Sequence, residues 1–339
     1  MNQNQPVPTL DDVARDAGVS TATVSRCLND PDKVSERTRR RVLDAVERLG
    51  YTPNFGARVM ASRRSNTIGA IIPTMENAIF ARGIQAFQET LYELGYNLLV
   101  SSSAYRPEIE AEQVRSLVAR GADGLLLIGY ERNQAIYDYL ARQSVPTLLA
   151  WAYAEGSALP SIGFDNKASM QALAQEVLGM GHKEIAVISG IVEGNDRAAG
   201  RLGGIMAAIA AAGLKTDQVP VIETPYEVEA GAAAFEQIMA APKPPTVVMC
   251  GNDVLAVGAI QKAHELGLKV PDDVSITGFD DIELARIVTP QLTTVHVPHR
   301  MMGRQAAQEL IRMVEGKSEG ASKQLDVRLE LRGSLRALR

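Results

Sequence analysis

Only two cysteines, Cys27 and Cys250, occur in the 339 residues. Two thiols cannot build a disulfide framework, and their scarcity fits a reducing compartment. No run approaches the roughly 20 consecutive apolar residues that a membrane helix needs. The opening MNQNQPVPT is polar and lacks the basic-then-apolar pattern of a secretory leader, so a cytoplasmic location is expected. Histidines number four: His182, His264, His296 and His299. The one H-x-x-H spacing spans Pro298, which breaks the helical geometry that pairs metal ligands, so no metal site is expected. Also missing are a G-x-S-x-G elbow, a G-x-x-x-x-G-K-[ST] loop and a G-x-G-x-x-G turn. Hydrolase, phosphate-loop and dehydrogenase chemistry all lack their parts. No catalytic residue, cofactor or enzymatic activity is expected.

The charge is uneven. Residues 1–65 hold 11 Lys and Arg against 8 Asp and Glu, whereas the whole chain carries a net −5. A small basic head on an acidic body points to a head that approaches a polyanion.

The head reads as three short helices. Leu10, Val13, Ala14 and Ala17 share one helical face after Thr9, a suitable N-cap. Gly18 supplies a turn needing positive φ. Ser20 then caps a second helix with Val24, Cys27 and Leu28 inward, closed by Asn29-Asp30-Pro31-Asp32. Ser35 caps a third, with Val42, Val46 and Leu49 inward and Gly50 as its stop. Two helices joined by a tight glycine turn predict a helix-turn-helix. The second helix turns Thr21, Ala22, Thr23, Ser25 and Arg26 outward, a face without acid.

From Thr67 the texture changes. The apolar runs TIGAIIP, YNLLVS, GLLLIG, PTLLAW, EIAVIS, PVIET, TVVMCG and VSITGF alternate with helical stretches such as 78–94, 108–120, 166–180, 197–212, 228–240 and 253–266. Gly95, Gly121, Gly181, Gly213 and Gly267 send the chain from helix to strand. This rhythm predicts parallel sheets covered by helices on both faces. Eight strands before Gln291 exceed one ordinary open sheet, so the fold class expected is α/β. An all-α helix-turn-helix domain precedes a body of two doubly wound lobes, with a ligand cleft near the carboxyl ends of the strands.

TLDDVARDAGVSTATVSRCLN and VSERTRRRVLDAVERLGYTPN resemble the DNA-binding domain of the lactose-repressor/galactose-repressor (LacI/GalR) family of bacterial regulators. SIGFDN, NDRAAGRLGG, CGNDVLAVGAI, LGLKVPDDVSITGFDD and TPQLTTVHVP follow in the family's order, so the resemblance runs from residue 9 to about 331. It implies a helix-turn-helix over 1–52, a hinge helix and linker over 53–65, and a periplasmic-binding-protein-like effector and dimerisation domain over 66–339. The N-lobe would span about 66–163 and 295–322, and the C-lobe about 164–294 and 323–339. A recognition helix enters the major groove with its N-terminal residues near base edges, where short Thr, Ser and Ala side chains allow close approach.

The DNA contacts implied are Thr9, Ser20, Thr21, Ala22, Thr23, Ser25, Arg26, Asn29, Asn54, Ala57, Arg58 and Met60, with Thr21 and Ala22 as the specificity pair. Met60 stands where the family inserts a leucine between base pairs. Gly56 in the same hinge helix costs about 1 kcal/mol in propensity relative to Ala, so that hinge should lean on DNA for its order.

For the cleft, the resemblance implies Arg201, Asp280 and Asn252 as polar ligands, a set suited to hydroxyls. Asn77, Phe80, Trp151 and Tyr226 match positions of polar contacts or aromatic walls. Asp165 stands near the cleft as a brace between lobes. Arg197, four residues before Arg201, shares its helix face, so a ligand carboxylate or phosphate comes into view. The expected function is a homodimeric, sequence-specific transcriptional repressor on near-palindromic double-stranded operator DNA. A small-molecule effector of the sugar or sugar-acid class would control it. The alternative is a solute-binding protein of the periplasmic type without DNA function; the basic head and the polar start argue against it.

Overall fold

The computed structural model describes residues 7–52, 64–76, 78–157 and 159–338. The expected contacts Asn54, Ala57, Arg58, Met60 and Asn77 lie outside the described residues, as does the side chain of Asn29. The chain divides into two compact units, 1–65 and 66–339.

The first unit holds α1 (Leu10–Ala17), α2 (Thr21–Asn29) and α3 (Glu36–Leu49). Thr9 and Asp12 cap α1 reciprocally: the Thr9 amide donates to the Asp12 carboxylate at 3.0 Å, and the Asp12 amide donates back to the Thr9 hydroxyl at 3.3 Å. Gly18, at φ +60, turns the chain out of α1, and Arg41 of α3 donates to the carbonyls of Ala17 and Gly18 around that turn. Ser20 and Ser35 cap α2 and α3 through the amides of Thr23 and Thr38. Val13, Ala14, Ala17, Val24, Cys27, Val42 and Ala45 form the core. Ala45, not singled out in the sequence, lies at its base, while Val46 and Leu49 are half-buried around it.

The second unit contains two parallel sheets. The first has the order β2 (Asn97–Ser102), β1 (Thr67–Ile72), β3 (Gly124–Ile128), β4 (Thr147–Ala150), β5 (Ser161–Gly163) and β11 (Lys323–Gln324). The second runs β7 (Val221–Thr224), β6 (Ile185–Gly190), β8 (Val247–Cys250) and β9 (Ser275–Thr277). The sequence predicts eight strands before Gln291, and nine form among the described residues. The extra one, β5, is three residues long, too short to show a period. Lys323 and Gln324 pair with β5, so the last crossing between lobes falls after Gln324 rather than at 323.

Helices α4 (Ala78–Glu93) and α12 (His299–Val314) pack together against the first sheet. α5 (Pro107–Ala119) and α6 (Gln134–Gln143) cover its other face around Val114, Leu125, Leu127 and Leu140. The second sheet is flanked by the pairs α7 (Asn166–Gly179) with α8 (Asp196–Ala211), and α9 (Val228–Met239) with α10 (Asp253–Glu265), and the short α11 (Glu283–Ile287) packs on α10. β1, β3 and β4 are buried throughout, as a sheet covered on both faces requires. A short antiparallel pair, β10 (Thr294–His296) and β12 (Arg328–Glu330), lies where the chain passes between lobes.

Candidate functional site

The carboxyl ends of the strands in both sheets deliver the chemistry. β2 leads to Tyr105, β3 to Gly129 and β4 to Trp151 in the first lobe; β6 leads to Asn195, β7 to Tyr226, β8 to Asn252 and β9 to Asp280 in the second. Open α/β sheets bind ligands at that edge. A cleft of 690 Å³ lies there, with Thr74, Tyr105, Asn195, Tyr226, Val254 and Ile282 among its walls.

Behind Tyr105 and Tyr226 sits a buried polar set. Arg201 of α8 donates to the Asn166 side chain at 2.9 Å and to the Gly251 carbonyl at 2.8 Å, and its guanidinium lies 4.0 Å from the Phe279 ring centre. The Asp280 carboxylate is 3.6 Å from Arg201, close enough to attract but too long for a hydrogen bond. Both carboxylate oxygens of Asp280 are buried without a hydrogen-bond partner, as are Asn252 Nδ2 and Trp151 Nε1. The other end of Asn252 caps α10, accepting from the Leu255 amide at 3.0 Å. Buried polar atoms are nearly always paired, so these four are available to bond the polar groups of a ligand.

Trp151 and Phe80 meet at 5.5 Å between ring centres. Both are as buried as core residues, yet the indole nitrogen has no hydrogen-bond partner. Trp151 (φ +61), Tyr105 (φ +57) and Asp280 (φ +104) occupy left-handed backbone. Such conformations cost about 1–3 kcal/mol each and persist where the surroundings over-determine them, as at binding sites. Gly83 on α4 makes room for the indole, since a Cβ there would come within 2.5 Å of the Trp151 ring. Burial raises the Tyr226 and Tyr105 hydroxyls above their usual range, against the pull of Arg201 and Arg197, so both remain neutral donors.

Two expected effector residues have other duties. The Asp165 carboxylate caps α7, accepting from the Ala168 amide at 2.9 Å. Its neighbour Asn166, missed in the sequence, reaches inward, accepting from Arg201 and donating to the Trp151 carbonyl at 3.0 Å. Arg197 does not offer a free cation: it pairs with Asp196 at 2.7 Å and donates to the Ile128 carbonyl of the first lobe at 3.2 Å. Helical spacing placed it on the Arg201 face but could not reveal that the opposite lobe supplies its partner. Tyr105 and His299 also belong to the site and were not expected there. Tyr105 follows an edge strand in a stretch without period, and His299 was weighed only as a metal ligand.

In the head, α2 exposes Ala22 and Arg26 to solvent, with Thr21, Thr23 and Ser25 partly exposed. The first turn of α2 carries no acidic residue, leaving its positive end uncompensated. The Ser20 and Thr9 hydroxyls are engaged in capping, which leaves each a spare lone pair.

A helix-turn-helix head followed along the chain by a two-lobed body with a polar cleft defines a ligand-responsive DNA-binding regulator. Residues 9–54 match the bacterial regulatory proteins, lacI family, and residues 174–335 match a periplasmic binding protein-like domain. The chain is 35% identical over 337 residues to the HTH-type transcriptional repressor CytR of Escherichia coli, covering 99% of this chain and 98% of that one. It therefore belongs to the LacI family of bacterial regulatory proteins. Its fold matches that of the Lac repressor dimer bound to operator and the anti-inducer ONPF (TM-score 0.87, 27% identity, 98% of this chain and 100% of that one). A complex of the transcriptional regulator CelR with cellobiose is also similar (TM-score 0.70, 29% identity, 96% and 99% covered). Among the described residues no helix is long and apolar enough to cross a membrane.

Proposed function

We propose that this protein is a dimeric repressor that binds a near-palindromic operator through α2 and is controlled by an uncharged, sugar-like effector held between its lobes. One observation carries the effector reading: both oxygens of the buried Asp280 carboxylate lack a hydrogen-bond partner, as do Asn252 Nδ2 and Trp151 Nε1. Two carboxylate oxygens accept from neighbouring hydroxyls, while the amide and indole donate to others. With Arg197 committed to Asp196 and Ile128, and Arg201 balanced by Asp280, neither arginine offers a spare charge to a sugar acid. The aromatic pair Phe80 and Trp151 would cover the apolar face of a ring. The cellobiose bound by CelR supports this class, and the operator-bound Lac repressor dimer supports a dimer on DNA. Thr21 and Ala22 would set base preference, and residues 53–65 would form the hinge that couples lobes to DNA. The protein acts by binding rather than by bond chemistry.

A thermal-shift screen of sugars, sugar acids, nucleosides and purines on the full chain tests the effector. Uncharged hydroxylated ligands should raise the unfolding midpoint and change operator affinity. Stabilisation by anionic ligands alone would reverse the assignment.

A further inference from the structure

His299 opens α12 and turns a buried side chain toward Asp280 and Trp151. The residue is 5% exposed. Neither ring nitrogen completes a hydrogen bond of good geometry, although Asp280 approaches through its carboxylate, 3.9 Å from Nε2, and through its main chain. The imidazole lies 6.3 Å from the Trp151 ring, tilted by 32°. It thus lies near the aromatic wall and the Asp280 carboxylate together. A plain core histidine satisfies its nitrogens, as His182 does with Thr246 and the Arg336 carbonyl, each at 2.9 Å.

We propose that His299 is an effector-contact residue that, as the neutral imidazole, donates one hydrogen bond and accepts another within the ligand complex. This rests on the cleft being an effector site, and it adds a requirement to the ligand: a hydroxyl or ring N–H placed to donate to the imidazole, beside the group held by Asp280. The neutral ring has one donor and one acceptor, a pairing neither a cation nor an apolar side chain offers.

The surroundings fix the charge state. Burial pushes His299 down to about 4; the Asp280 carboxylate opposes the shift, while Arg201 from α8 and Arg82 from α4 add to it. The ring is therefore neutral at physiological pH. The acceptor nitrogen needed by the ligand is lost only in acid.

The single tryptophan reports on this place, since Trp151 is the only indole in the chain. Full-length wild type, His299→Gln and His299→Phe are titrated with D-glucose, D-ribose, cytidine and adenosine while Trp151 fluorescence is followed. Urea unfolding of each chain is measured without probe. His299→Phe removes two unpaired buried nitrogens, so it should unfold at equal or higher urea, yet bind the strongest probe at least about tenfold more weakly. Glutamine retains a donor and an acceptor and should stay within about threefold of wild type. A phenylalanine variant that binds as well as wild type overturns the contact, as does loss of stability and affinity together in both variants. A wild-type chain whose fluorescence answers to none of the four probes overturns the effector reading itself, and the contact with it.

Discussion

Arg197 in the first turn of α8 donates across the cleft to the carbonyl of Ile128 at the end of β3, 3.2 Å away. Its neighbour Asp196 accepts from the Tyr130 amide two residues further on. Gly129, at φ +73, lies between, and a Cβ there would overlap both side chains. Two consecutive residues of the second lobe thus grip one turn of the first. Because the partners are main-chain groups at a strand end, the grip depends on the lobes' relative position.

Arg197→Met keeps the length of the side chain and removes this charge-assisted bond, worth about 1.5–3 kcal/mol. The ligand-free variant should show a larger radius of gyration by small-angle scattering and faster acrylamide quenching of Trp151. Unchanged scattering and quenching would mean that the contact does not hold the lobes.

Arg201 and Asp280 form a pair in which one carboxylate is fully buried. Arg201→Ala leaves Asp280 as an uncompensated charge and should cost about 3–5 kcal/mol. It should also abolish the effector response. Adding Asp280→Asn should restore most of the stability while the response stays absent. Urea unfolding and probe titration of both chains check the two halves separately; a response that survives Arg201→Ala would remove that residue from the site.

Thr21, partly exposed, and Ala22, exposed, open α2, whose first turn carries no acidic residue. Exchanging both should shift base preference at a few operator positions by about 1–3 kcal/mol each, with little change in salt-driven background binding. Selection on random duplexes before and after the exchange gives the answer. An identical consensus would move the specificity elsewhere.

Acid dependence follows from two groups with opposite histories. Burial lowers His299 to about 4, below the ordinary histidine value, so the unfolded chain takes up a proton first as the pH falls. Its contribution is complete above about pH 6.5 and is lost toward pH 4, at most about 3 kcal/mol. Burial would raise Asp281, but Arg286, Arg332 and His296 hold it down to about 2, so its contribution persists until the pH falls below the ordinary carboxylate value. Stability should therefore climb between pH 4.5 and 7 in the wild type, and climb less in His299→Phe. A smaller slope remains there from His182, which burial also lowers. Parallel curves for the two chains would contradict the buried neutral ring.

Local signals made the head legible. Thr9, Ser20 and Ser35 cap because short hydroxyls reach the third amide of a helix, and Gly18 and Gly50 turn at positive φ, so caps and stops could be read residue by residue. The βα rhythm of the body was equally plain, except for β5, whose three residues carry no period. Inside the cleft the motifs located Arg201, Asn252 and Asp280, but not what they face. Asp165 and Asn166 are adjacent, and only the cap of α7 decides which one turns inward. Arg197 and His299 depend on partners 69 and 19 residues away, a distance at which spacing along one helix says nothing.

Recognition of a particular duplex is tested most directly by enriching random double-stranded DNA on the purified full-length chain in excess competitor, with and without the uncharged ligands that stabilise it. A near-palindromic sequence should emerge, its capture should change with ligand, and both effects should vanish when residues 1–62 are removed. If no duplex is retained over competitor under any of these conditions, the chain is not the DNA-binding regulator described above.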